Sequence, residues 1–452
     1  MSKQHEVIDF HDKTEWPDID LVFTGCRMSK DGYAFDIVDF PNRRIDRWYA
    51  PLLRNQDWPK QIKDVMYPER FPLGYDDPEK YCLDHYLTPH TVHLCPQGKL
   101  FATFGVSESG FGIVIVDTNT GETGFIGSEE MPSKLFVSTG DFDPGYTSFL
   151  FAKWPMSNSP RDREKTVPNS IEIKSLDIST YEEKHLYTAT EELVDGRPVG
   201  VGLPRSLHQS TMSADGRYIV CAPYDGVQEV PVNEDDLNGE VLDDAKPIYN
   251  HRMVLEYIVT IDLETSKHWL TKIPVPVPAH IEFDLDDPHV FYASAHNIAG
   301  LSVGTVLEGT ATLFKLKIKD GDTKIVGSYT DERLYRITQH SLYNFEGTNF
   351  IVLTCVPNRL VIIYADTMEL FRDVELFRTE PIILEDGRTI SPESQFSVYS
   401  VNPSSDGRYV VLENASDFIA YDMKEDRVLD VRLNRAIPAG YGGRGHTRTA
   451  GQ

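Results

Sequence analysis

The chain has 452 residues, of which 40% are hydrophobic, and this content excludes a largely disordered protein. Its formal net charge of −26 at pH 7 argues against a nucleic-acid partner, because binding to phosphates needs a surplus of lysine and arginine. No stretch approaches the roughly 20 apolar residues of a membrane-spanning helix, so we expect no membrane partner.

The N-terminal part predicts three strands and then a long segment without strand character. The strands fall at residues 21–27, 33–39 and 44–49. Residues 51–84 are rich in proline, tyrosine and charge, and we expect them to cover one face of a central channel; a plain surface connection is the alternative. A later acidic insertion, residues 233–246, predicts a solvated surface loop.

Four widely separated segments share one pattern, in which a histidine opens an apolar run that reaches a turn signal seven or eight residues later. Each segment predicts a strand, a tight turn and a second strand. They begin at His90, His208, His280 and His340. Two further segments keep the pattern without histidine: Tyr399 stands eight residues before Gly407, and Val137 precedes the turn at Asp143-Pro-Gly145.

Two more predicted strands follow each hairpin. Four strands in roughly 40 to 60 residues form one blade of a β-propeller. The three N-terminal strands lack a fourth partner, and the C-terminal residues near His446 predict one more strand. We therefore predict an all-β chain whose single domain, residues 1–452, is a seven-bladed β-propeller closed by N- and C-terminal strands that share one blade.

The common register of the histidines indicates a metal site. Inner strands of a propeller run beside its axis, so equivalent positions on different blades approach one another, and crowded neutral imidazoles favour a bound ion. A set of imidazoles without thiolates suits copper or iron(II), while zinc and manganese are less favoured. A polar channel lining without a metal is the alternative. The predicted ligands are His90, His208, His280, His340 and His446.

Three residues near this register are candidates for catalysis. Glu282 shares the face of His280, and its carboxylate can accept a hydrogen bond from an imidazole N–H. Tyr399 is either a hydrogen-bond donor beside the ion or an aromatic side chain that fills the channel. His93 stands three residues after His90 on the opposite face of an extended strand, so both can bind one ion only across a β-bulge.

Part of the chain resembles a known family. The segment His90-Thr-Val-His-Leu-Cys-Pro-Gln-Gly-Lys-Leu-Phe-Ala-Thr-Phe-Gly105, followed by Gly112-Ile-Val-Ile-Val-Asp-Thr-Asn-Thr-Gly121, resembles the selenium-binding protein and methanethiol oxidase family. Residues 21–48, with Gly25-Cys26-Arg27, look like the first blade of that family. The resemblance implies a seven-bladed propeller with histidine-bound copper and oxidase chemistry, and its motif carries over onto His90 and His93.

Two classes of function follow from these residues. The leading expectation is a metal-dependent oxidoreductase that acts with dioxygen on a small organic substrate. Sulfur-containing molecules are among the candidate substrates. A metal-assisted lyase or isomerase, with His93 or His296 as the base, is the second enzymatic interpretation. The non-enzymatic alternative is an interaction scaffold whose rim loops bind a partner. The sequence carries no mark of oligomeric state.

The compartment is predicted from the cysteines and from the first residues. Five cysteines are scattered without a C-x-x-C pair, so no disulfide framework is implied. The first residues contain no apolar stretch typical of a secretory signal peptide. We therefore expect a cytoplasmic protein.

Overall fold

The computed structural model describes most of the repeating part of the chain. The described residues are 4–10, 17–29, 32–50, 88–106, 109–127, 135–137, 140–155, 170–194, 197–198, 203–204, 207–223, 257–275, 280–295, 311–332, 334, 336–356, 359–376, 382–383, 389–390, 400–413, 418–429 and 448–449. The two predicted insertions, residues 51–84 and 233–246, lie outside them. Within the described part, no helix has the length and apolar character that a membrane span requires.

The fold is an all-β seven-bladed propeller, as predicted. Blade one contains β1 (His5–Asp9), β2 (Val22–Ser29), β3 (Gly32–Asp39) and β4 (Arg44–Ala50). Blade two contains β5 (Thr88–Leu94), β6 (Lys99–Val106), β7 (Ser109–Asp117) and β8 (Thr123–Gly127). Blade three contains β9 (Leu135–Val137), β10 (Asp141–Phe142), β11 (Ser148–Pro155), β12 (Ser170–Asp177) and β13 (Glu183–Thr190), and β14 (Leu193–Val194) and β15 (Arg197–Pro198) form a separate hairpin.

The remaining blades each contain four antiparallel strands. Blade four has β16 (Leu207–Met212), β17 (Tyr218–Pro223), β18 (Tyr257–Asp262) and β19 (Lys267–Lys272), and blade five has β20 (His280–Phe283), β21 (Val290–Ala295), β22 (Thr312–Lys319) and β23 (Asp322–Thr330). Blade six has β24 (Arg336–Phe345), β25 (Thr348–Val356), β26 (Arg359–Tyr364) and β27 (Leu370–Glu375), and a hairpin of β28 (Ile382–Ile383) and β29 (Thr389–Ile390) follows. Blade seven has β30 (Ser400–Pro403), β31 (Tyr409–Glu413), β32 (Phe418–Asp422) and β33 (Arg427–Leu429).

The last described strand lies at one edge of the sheet of blade one. The last strand, β34 (Arg448–Thr449), pairs antiparallel with β2, with Thr24 opposite Arg448. At the other edge of the same sheet, β1 pairs with β4. The order of strands in this sheet is therefore β1-β4-β3-β2-β34.

A repeated turn explains why the predicted hairpins form. In blade four the Ser213 hydroxyl donates to the Asp215 carboxylate at 2.6 Å and accepts the Tyr218 amide at 2.9 Å. Gly216 takes a φ of 73°, a left-handed conformation that costs glycine little. The turn at residues 404–409 of blade seven repeats the same letters except one and makes the same two hydrogen bonds, at 2.6 and 2.9 Å.

An arginine in each of these turns connects the hairpin to the third strand of its blade. Arg217 donates two hydrogen bonds to Asp262, at 3.1 and 2.8 Å. Arg408 donates in the same way to Asp422, at 3.3 and 3.0 Å. Both carboxylates also accept amide hydrogen bonds from the turn that follows them, so each aspartate joins two turns of one blade.

Apolar side chains of the strands pack into several buried clusters. Strands β17 and β21 are buried along their whole length, so side chains from both of their faces contribute to these clusters. The largest fully buried side chains are Tyr33, Tyr292, Tyr421, Phe23, Phe35, Phe101, Phe149, Phe151 and Phe291.

Side chains of one blade also bind backbone groups of the next blade. An innermost strand pairs with a neighbouring strand on one side only, so its outward amides and carbonyls need other partners. The Thr24 hydroxyl donates to the carbonyl of Val92 at 2.7 Å, and the Gln209 side-chain oxygen accepts the amide of Ile281 at 3.0 Å. These bonds hold β5 and β20, the strands that carry His90 and His280.

Candidate metal centre

The clearest pair in the predicted site is formed by His208 and His280. His208 lies in β16 of blade four and His280 begins β20 of blade five, and both are buried, with exposed fractions of 1% and 2%. Their ring centres are 4.7 Å apart and their planes are at 89°. The structure therefore brings together two histidines that are far apart in the sequence.

Ser294, which the sequence patterns did not indicate, links His340 to this pair. His340 lies in β24 and is 3% exposed, and its Nδ1 atom is 3.0 Å from the hydroxyl oxygen of Ser294. Ser294 stands directly opposite His280 in the pairing of β20 with β21. Its position could have been anticipated, because counting back across the predicted hairpin places residue 294 opposite His280.

The strand that carries His90 is irregular at this residue. Its pairing with β6 shifts between Pro89 and Thr91, so His90 is an extra residue in the ladder. A similar shift lies between Leu207 and Ser210, around His208. Only the backbone of His90 is described.

Two other predicted site residues, Tyr399 and His446, lie outside the described residues, as does His296. Tyr399 immediately precedes β30 of blade seven, and His446 stands two residues before β34. Their predicted roles therefore stay predictions.

His93 lies between blades two and three. Its ring is edge-on to Phe149 at 5.5 Å and to Phe142 at 6.1 Å between ring centres, and Nδ1 is 3.7 Å from the Asp141 carboxylate. The side chain is buried. Because His208 and His280 belong to blades four and five, the structure places His93 in a different environment from that pair.

Glu282 forms a hydrogen bond between blades. One oxygen of its carboxylate accepts the backbone amide of Leu342 at 3.2 Å. Glu282 therefore does for blade six what Gln209 does for blade five: it binds an amide on the inner strand of the following blade. Glu282 belongs to β20, the strand that His280 begins, and lies two residues after that histidine.

The hairpin that carries His208 also contains a buried cysteine. Cys221 lies opposite Ser210, and complete burial raises the pKa of its thiol to about 12, although the Ser210 hydroxyl that donates to the sulfur lowers it. Burial also raises the pKa of Cys355. Both side chains are therefore small buried apolar groups of their strands.

The described residues do not by themselves form a metal site. Across the ranges that the structure describes, no three histidine, cysteine, aspartate or glutamate side chains are grouped so that they could hold a metal ion. Neither the His90 side chain nor His446 belongs to the described part of the structure. His208, His280 and His340 therefore do not form such a group on their own, and a complete set of ligands would need side chains outside the described residues, such as those of His90 or His446.

Comparison with known proteins adds no identity. No protein-family model matches the chain, and no curated protein matches it. The resemblance to selenium-binding proteins therefore stays a prediction. The fold and the buried histidines are the observations from which a function can be argued.

Proposed function

We propose that the protein is a metal-dependent oxidoreductase whose copper or iron ion is held in the propeller channel by histidines. His208 and His280 are the two ligands with the strongest support. His340, His90 and His446 complete the proposed set. The observation that carries the proposal is the close perpendicular contact between the two buried imidazoles at 4.7 Å.

The spacing of the two rings suits a shared ion. A metal–nitrogen bond of about 2.0–2.1 Å puts the centre of an imidazole ring about 3.2 Å from the ion. Two such rings on one ion would have centres about 4.5 Å apart at a nitrogen–ion–nitrogen angle of about 90°, and about 5.2 Å apart at the tetrahedral angle. The separation of 4.7 Å between the ring centres of His208 and His280 lies between these two values.

The surrounding residues suit a dry reaction site. Both histidines are buried, so the channel limits access of water to anything bound between them. Glu282 fixes the inner strand of blade six through the Leu342 amide, and this strand carries His340. A copper or iron ion in this position would supply electron transfer to dioxygen. The proposed substrate is a small organic molecule, and sulfur-containing molecules are among the candidates.

We also infer that strands from both ends of the chain share blade one and so close the ring. The pairing of β34 with β2 supports this closure. It would put His446 two residues before the innermost strand of that blade, at the channel with the other histidines. Closure of this kind leaves no open edge between the first and last blades.

Elemental analysis tests the metal site. Protein made without an affinity tag should contain about one equivalent of copper or iron, and the His208→Ala/His280→Ala variant should contain less than about a tenth of that. The matched control is His185→Ala/His289→Ala, because both of these histidines lie at the surface and neither contacts the pair. Circular dichroism checks that each variant keeps its β-structure.

Oxygen uptake with a panel of small thiols and sulfides tests the reaction class. Metal-loaded wild type and the control variant should consume dioxygen with at least one of these compounds, and the His208→Ala/His280→Ala variant should not. Metal content unchanged by the double substitution would overturn the metal site. A loaded protein that never consumes dioxygen would overturn the oxidase chemistry alone.

A further inference from the structure

A buried serine contacts one of the proposed ligands. The Ser294 hydroxyl oxygen is 3.0 Å from Nδ1 of His340, and Ser294 has no exposed surface. It belongs to β21, in the middle of the strand order of blade five, whereas His340 belongs to blade six. The contact therefore joins two blades at the level of the histidines.

The chemistry of imidazole gives this contact a consequence. A neutral ring carries one proton, and the nitrogen that binds a metal must be the one without it. Ligating histidines usually direct the other nitrogen to a hydrogen-bond acceptor, which fixes the tautomer and the orientation of the ring. A serine hydroxyl can accept such a hydrogen bond as well as donate one.

We propose that Ser294 is a positioning residue of the channel site: its hydroxyl oxygen accepts a hydrogen bond from the Nδ1–H of His340, which leaves Nε2 as the nitrogen available to a metal ion. This proposal rests on the proposed function, because it assigns His340 to the metal. The backbone of Ser294 is held opposite His280, so one residue sets the relation between two proposed ligands. A buried strand residue cannot turn its hydroxyl away to solvent.

The tautomer can be measured without any metal. Protein labelled with ¹⁵N at histidine and treated with a chelator gives long-range ¹H–¹⁵N spectra that distinguish the two tautomers. The His340 signals are identified by their loss in His340→Asn. Wild type should show the ring protonated at Nδ1, and Ser294→Ala should shift the population toward the form protonated at Nε2. Ser294→Thr, which keeps a hydroxyl, should restore the wild-type pattern.

Metal affinity supplies the second measurement, with Co(II) as the probe and its visible absorption as the readout. Ser294→Ala should weaken Co(II) binding about 10-fold to 100-fold. Ser210→Ala is the matched control, because Ser210 is equally buried and its hydroxyl bonds to Cys221 instead. It should change neither the His340 spectrum nor the affinity by more than about 2-fold.

The outcomes separate this proposal from the metal site itself. A wild-type ring protonated at Nε2, or a spectrum that Ser294→Ala leaves unchanged, would overturn the role of Ser294 whatever the metal content. The expected spectra combined with no Co(II) binding would leave the tautomer assignment intact and overturn the metal site. Equal loss of affinity in the Ser294 and Ser210 variants would reduce Ser294 to a packing residue.

Discussion

A buried ion pair in blade one gives a sharp test of what stabilises the propeller. The Arg47 guanidinium donates to the two Asp36 oxygens at 2.6 and 3.0 Å, and the two side chains are only 4% and 8% exposed. Arg47→Met keeps the length of the side chain but removes the positive charge from the buried carboxylate. Losing one partner of a buried pair costs about 3–5 kcal/mol.

The expected shift in melting temperature follows from the size of the chain. For 452 residues the entropy of unfolding is about 0.9 kcal/mol per kelvin, so this loss should lower the Tm by about 3–5 °C. Differential scanning calorimetry measures it. Arg44→Met is the control, because the 3.0 Å pair of Arg44 with Asp46 has a 43% exposed arginine, and its loss should cost less than about 1 °C. Equal shifts in the two variants would refute the reasoning.

Two further predictions concern a glycine and the response to acid. Gly407→Ala should lower the Tm much more than Gly321→Ala; both positions have a positive φ, which costs about 1–2 kcal/mol, but only at Gly407 would the new Cβ collide with backbone, at the Asn344 carbonyl. Equal losses would contradict this. Burial alone would raise the pKa of Asp262 and Asp422, but hydrogen bonds from arginine and turn amides outweigh it, so both pKa values are lowered. The stability that these carboxylates contribute is fully present above the unfolded-state pKa of about 3.9, and it is lost as the pH falls through the lower folded-state pKa. Acidification below about pH 4 should therefore lower the Tm of Asp262→Asn less than the Tm of wild type.

Local signals in the sequence were sufficient to predict the fold. The turns at residues 213–218 and 404–409 share serine, aspartate, glycine, arginine and tyrosine at the same positions, and the hydrogen bonds within each turn involve only these neighbours. Strand β1 was not predicted, because nothing in its five residues indicates pairing with β4. β1 pairs with β4, at one edge of the sheet of blade one.

The site was less predictable, because its contacts run between blades. Simple alternation predicts His93 on the face opposite His90, but the pairing of β5 is irregular at His90, and the aromatic rings around His93 come from blade three. The closeness of His208 and His280 could be expected from their shared register. The contacts of Ser294 with His340 and of Glu282 with Leu342 depend on the exact offset between neighbouring sheets, which no local pattern encodes.

The hydrogen bonds from Gln209 to Ile281 and from Glu282 to Leu342 also bear on how such a ring can change over time. Gene duplication builds propellers from similar units, and similar units could in principle be exchanged. Here blades four and five each carry a side chain that binds an amide of the next blade, so transplanting either blade would leave that amide without its acceptor. The order of blades four, five and six around the axis is thereby constrained by two side chains.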